Sequence, residues 1–131
     1  MIVVDASVWV DYFNGAATAE VEALDAMLGE ARVIVGDITL MEVLSGFRRD
    51  RDFREASELL DACEYRSMVG RDVALRAATN YRALRKRGVT VRKTIDVLIG
   101  TYCIAHSLPL LHRDRDFDPL EEHLGLHVWR A

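Results

Sequence analysis

The sequence predicts an α/β protein in which a central, mostly parallel sheet is covered by helices on both faces. Three observations carry that prediction. Short apolar runs rich in branched residues recur along the chain: "IVV" at 2 to 4, "RVIVG" at 32 to 36 and "LPLLH" at 108 to 112. Segments of helical periodicity separate them, and strands regularly interrupted by helices argue for parallel pairing through crossover connections. The chain has 131 residues, half of them hydrophobic, and no Gly/Ser/Pro-rich linker. It is therefore read as a single domain over 1–131, large enough to bury roughly two thirds of its unfolded surface.

Each element has its own signal. "IVV" is a short buried strand, and "SVWVDYF" at 7 to 13 is the helix it feeds. Residues 18 to 30 place Val21, Leu24, Ala26, Met27 and Leu28 near helical spacing, with Thr18 as N-cap. "RVIVG" is the second strand; the helix of "DITLMEVLSGF" follows, capped by Asp37 or Thr39 and loosened at its end by Gly46. Residues 52 to 63 and 72 to 87 carry helical periodicity, with "EYRSM" at 64 to 68 as a short strand between them. "TIDVLIGTYCIAHS" from Thr94 has an apolar face, "LPLLH" is a further strand, and "LHVWR" at 126 to 130 is the last. No internal repeat interrupts this order.

Composition excludes several classes of protein. The start lacks the basic n-region and small-residue cleavage site of a secretion signal, and no apolar run approaches the roughly 20 residues of a membrane helix. A cytoplasmic protein without membrane attachment is expected. Cys63 and Cys103 stand far apart without a C-x-x-C pair, which suits buried free thiols. The net charge is −4, so the molecule as a whole does not attract nucleic acid, yet residues 76 to 93 hold seven basic residues and no acidic one. That stripe is either a solvated helix face ending at Gly88, with last-turn cations favoured by the helix dipole, or an electrostatic track.

In an open parallel sheet, ligands bind beyond the carboxyl ends of the strands. Asp5 follows the first strand, Glu42 lies about one turn into the helix after the second, Asp96 falls in the first turn of the helix from Thr94, and Asp114 and Asp116 follow "LPLLH". Individually these are ordinary cap, dipole or surface positions. Together they would crowd carboxylates that raise one another's pKa unless a cation neutralises them. Oxygen donors without His or Cys suit Mg²⁺ or Mn²⁺. Asp114 and Asp116 would point the same way only if their stretch stays extended, and Asp118 before Pro119 is a turn or cap residue outside the site.

These residues carry a resemblance that spans nearly the whole chain: "VVDASVW", "LMEVLSG", "TVRKTIDVLIG" and "LLHRDRDFD" are similar in order and spacing to the PIN-domain family, and among them to the VapC toxins of bacterial toxin–antitoxin pairs. Gly100 departs from the pattern, which more usually reads "LIA" here, and bears on helix rigidity. The resemblance implies a PIN-like three-layer α/β/α fold with about five strands and a Mg²⁺-dependent ribonuclease that accepts Mn²⁺. It also implies a homodimer and a VapB-type antitoxin that blocks the pocket. On that reading Asp5, Asp96, Asp114 and Asp116 are the metal ligands, Glu42 completes the catalytic set, and a metal-activated water hydrolyses the phosphodiester. Ser7 binds a ligand carboxylate or a phosphate, or caps its helix. Arg113 holds the scissile phosphate or pairs with neighbours, and Arg92 and Lys93 lead RNA toward Asp96. Trp9, Tyr12 and Phe13 pack in the core or line a groove for a partner helix.

Other readings fit less well. His123 and His127 have a metal-pair spacing, but Gly125 ends the helix between them. His106 and His112 need only ordinary hydrogen bonds. A phosphoacceptor domain would carry paired acids after its first strand and a Lys after a late one, which this chain lacks. A PIN-like module that binds RNA or a partner without cutting predicts loss of a pocket acid, and all are present.

Overall fold

The computed structural model describes residues 1–30 and 32–130. Strands β1 (Ile2–Val4), β2 (Val33–Gly36), β3 (Glu64–Arg66) and β4 (Leu110–Leu111) form one sheet in the order β3-β2-β1-β4, every pairing parallel. Between them run α1 (Ala6–Phe13), α2 (Ala19–Glu30), α3 (Asp37–Leu44), α4 (Asp50–Asp61), α5 (Arg71–Lys86) and α6 (Thr94–Ala105). A 3₁₀ turn (Arg115–Phe117) and α7 (Asp118–Leu124) follow β4.

Side-chain alternation divides the core into two layers. Val3, Ile34 and Leu110 point to one face, where they meet Leu84, Val97, Ile99, Phe117 and Leu120 of α5, α6, the 3₁₀ turn and α7. Ile2, Val4, Val33, Val35 and Leu111 point to the other, against Val8, Trp9, Leu24, Val43 and Leu60 of α1 to α4. The β1, β2 and β4 strands are buried on both faces, which is why they read as continuous apolar runs. Full burial of each such side chain stabilises by roughly 1.5–3 kcal/mol.

Most expected elements are present, with local corrections. Among the described residues the sheet has four strands, where about five were expected. The final segment contributes one isolated bridge, Leu110 to Val128, held by Leu110 N–H to the His127 carbonyl at 2.9 Å and Trp129 N–H to the Leu110 carbonyl at 2.9 Å. Thr18 caps α2, its hydroxyl accepting the Val21 N–H at 3.1 Å. Neither Asp37 nor Thr39 caps α3: Gly36 holds the cap position, Thr39 is buried, and the Asp37 carboxylate accepts the Met68 N–H at 3.1 Å. That bond ties the exit of β3 to the end of β2.

At the end of α5, Gly88 adopts φ +81°, its N–H bonds the Arg85 carbonyl at 2.9 Å, and Val89 N–H reaches back to Leu84 at 3.0 Å. This double closure needs a residue in the left-handed region, which glycine supplies without strain. Trp9 is fully buried and stacks on Phe13 at 5.9 Å, so this aromatic group serves the core. Cys63 and Cys103 are free thiols, and burial pushes Cys103 up to about 12. Among the described residues, no helix is long and apolar enough to cross a membrane.

Candidate metal centre

The order β3-β2-β1-β4 puts the topological switch between β1 and β4, because the chain moves from β1 outward on one side and returns to the other only with β4. The carboxyl ends of those two strands are where a crevice opens in such a sheet. Asp5 leaves β1 at that point and its N–H bonds the Leu111 carbonyl of β4 at 2.9 Å. As N-cap of α1, Asp5 accepts the Ser7 N–H at 3.0 Å and the Ser7 hydroxyl at 2.6 Å. The same Ser7 oxygen accepts the Arg113 N–H at 3.0 Å, so one hydroxyl fixes a buried carboxylate and the segment after β4 together.

Asp96, Asp114 and Asp116 converge. A carboxylate oxygen from each lies within 4.8 Å of the other two. Asp96 enters from the first turn of α6 and is only 4% exposed. The stretch holding Asp114 and Asp116 does not stay extended, the condition on which the two were to point the same way, yet they are gathered all the same. Asp114 is extended (φ −140°, ψ 116°), but its carboxylate accepts the Asp116 N–H at 2.9 Å and starts the 3₁₀ turn that brings both side chains to the same place. His112 supports the turn, its Nδ1 accepting the Asp114 N–H at 3.0 Å. Asp5 and Glu42 line the adjoining cleft of about 420 Å³ with Ser7, Lys93, Arg113 and Asp114, outside the three-carboxylate cluster itself.

The electrostatics follow from the crowding. Burial, then the Asp5 charge, pushes the Asp96 carboxyl up to about 7 against the opposing pull of Lys93. Burial, with Asp5 and Asp114, also raises Glu42 above the usual carboxylate range. Asp114 feels a desolvation penalty, yet the Lys93 ammonium and the Asp116 N–H bring it below its ordinary value. The Lys93 Nζ stands 2.5 Å from Asp114 Oδ2 and 3.3 Å from Asp96 Oδ2. Its hydrogen bond to Asp114 holds its pKa above that of a free lysine.

The residues read as substrate-binding are placed less directly. Arg92 Nη2 stands 3.7 Å from Asp116 Oδ2, and Arg113 Nη1 pairs with Asp11 at 3.2 Å, so each guanidinium sits at the rim facing an acidic neighbour. Asp11 was not anticipated, and Lys93, expected to lead RNA toward Asp96, is paired with the Asp96 and Asp114 carboxylates. Lys93 stands three positions before Asp96, the spacing at which helical side chains meet, and that was the available signal. Asp118 opens α7 ahead of Pro119, and His123 lies in the last turn before Gly125 at φ +79°. Neither belongs to the site.

The donor set is oxygen-only. Asp96 Oδ2 and Asp116 Oδ2 are buried and accept no hydrogen bond, facing only the charges of Lys93 at 3.3 Å and Arg92 at 3.7 Å, an oxygen set open to a hard divalent cation such as Mg²⁺ or Mn²⁺. Fold and site thus define a class: a three-layer parallel α/β domain with an acidic pocket at the switch point of its sheet. The chain belongs to the PIN-domain family, whose family model matches residues 2–122. It is 35% identical over 121 residues to Ribonuclease VapC11 of Mycobacterium tuberculosis, covering 90% of each chain. Its fold is similar to VapBC2 of Rickettsia felis, solved bound to a promoter DNA fragment, with TM-score 0.77 and 15% identity over 100% of this chain and 99% of that one. FitAcB of Neisseria gonorrhoeae is similar at TM-score 0.76 and 20% identity, covering 99% and 97%.

Proposed function

We propose that the protein is a Mg²⁺-dependent endoribonuclease acting as the toxin of a type II toxin–antitoxin pair, with residues 1–131 working as one domain. The observation that carries this reading is the meeting of Asp96, Asp114 and Asp116 within 4.8 Å beside the buried Asp5. The relative named as a VapC ribonuclease supports the substrate class, and the VapBC complex among the similar structures supports a VapB-type antitoxin as partner. A homodimer in the cytoplasm completes the proposed assembly.

Asp5, Asp96, Asp114 and Asp116 would hold Mg²⁺, or Mn²⁺ in its place, with Glu42 at the edge of the site. The ion supplies acidification of water and neutralisation of charge on the phosphoryl and leaving oxygens. The chain's own residues do the rest. Ser7 holds the Asp5 carboxylate in one orientation. Glu42, half-buried with its carboxyl raised above the ordinary range by burial and by Asp5, faces the cleft where the substrate would lie. Arg92 and Arg113 at the rim attract phosphates to a pocket that a net charge of −4 would otherwise disfavour.

The test is cleavage of a mixed cellular RNA pool by purified protein with Mg²⁺ or Mn²⁺, with EDTA, and by a folded Asp96→Asn variant. Discrete cuts are expected that disappear in EDTA and in the variant. RNA that stays intact while still bound would replace the enzyme with a non-catalytic RNA-binding module.

A further inference from the structure

Lys93 is one of only two lysines in the chain, the other being Lys86 in the last turn of α5. It occupies the N-cap position of α6 without capping the helix through its side chain, and its carbonyl accepts the Asp96 N–H at 3.1 Å. An ammonium here stands at the positive end of the helix dipole, the unfavourable end for a cation. Its placement is therefore set by the carboxylates, and the side chain folds over the first turn to reach Asp96 Oδ2 at 3.3 Å and Asp114 Oδ2 at 2.5 Å. A lysine ammonium is a compact point charge with three donors, unlike the planar fork of arginine. It engages carboxylate oxygens of two of the three converging aspartates, the ligand type that a small hard cation takes.

We propose that Lys93 is an internal counter-cation of the carboxylate cluster, evicted when a divalent ion binds and returning when the ion leaves, so that it sets the metal affinity of the pocket. This rests on the reading that the cluster holds a divalent ion. Without an ion, the ammonium neutralises part of the charge that would otherwise make three converging carboxylates repel one another. With an ion, the two cations cannot share the same oxygens, and the ammonium moves out to the rim beside Arg92 and Arg113.

Mn²⁺ titrations by calorimetry at fixed ionic strength test it on the wild type, Lys93→Met and Arg92→Met. Lys93→Met is expected to bind Mn²⁺ at least about tenfold tighter, and Arg92→Met within about threefold of wild type. Wild-type binding with no tightening in Lys93→Met, or equal tightening in both variants, would overturn the counter-cation role and leave the metal site standing. No Mn²⁺ binding by wild type or Lys93→Met would overturn both. A second measurement needs no variant: lysine acetylation of the wild type, quantified at Lys93 against Lys86 as internal reference. Mn²⁺ is expected to accelerate Lys93 labelling several-fold relative to Lys86, and an unchanged ratio would overturn the proposal.

Discussion

Asp96 bears the largest electrostatic strain in the pocket, and its consequence for stability has a definite sign. Its carboxyl is raised from an ordinary 3.8 to about 7 by burial and by Asp5. The folded protein therefore favours the protonated form. The associated stability is fully present below the unfolded value, is lost as pH rises toward 7, and stays lost above it. In EDTA, Asp96→Asn is expected to be more stable than wild type at pH 8 by about 2 kcal/mol. That is roughly half of what the full shift would give, since Lys93 loses an anionic partner. The advantage should vanish near pH 4, and denaturant unfolding across that range measures it. That the five acids lie toward one end of the sheet was legible in the sequence, because strand ends and first helical turns locate a side chain without long-range information. The nearness of Lys93 to Asp96 was legible, but not its bridge to Asp114, which spans 21 positions and depends on how α6 packs against the 3₁₀ turn.

The elements were legible where periodicity was strong and blurred where a single contact decided. Gly100 marked a departure from the family pattern bearing on the rigidity of α6, but its reason is space. A Cβ there would lie 2.3 Å from Leu120 Cδ2, and Leu120 is fully buried in α7. The α6 helix is buried through most of its length, and the missing side chain lets α7 and the 3₁₀ turn close over it. Gly100→Ala is expected to destabilise by about 1–2 kcal/mol, overpacking outweighing the gain in helix propensity. In the background of Leu120→Ala the same substitution should become neutral or stabilising, and a double-mutant cycle of urea midpoints reads that coupling. The expected fifth strand illustrates the other limit. "LHVWR" has strand-like composition, but one bridge to Leu110 is all that the two-residue β4 supports.

At the scale of the whole molecule, two core layers lock a sheet whose open end concentrates negative charge, so a divalent ion should stabilise the entire fold. Mg²⁺ at about 100 times its dissociation constant adds about 2.7 kcal/mol. For a chain of this size that is a rise of several degrees in Tm, expected for wild type and absent in Asp96→Asn by thermal shift. The sequence by itself determined the alternation of strands and helices, the two-sided burial of the sheet and the places of five acids at strand ends and in early helical turns. Those depend on local periodicity and on where an acidic residue falls relative to a strand end. Only the tertiary structure decided that Asp96, Asp114 and Asp116 form the tight cluster while Asp5 and Glu42 stand beside it. It alone also showed that a 3₁₀ turn gathers the last two acids and that Lys93 bridges two of the three. Such distances of a few ångströms are set by the packing of α6 against the 3₁₀ turn and α7, and no spacing along the chain encodes them.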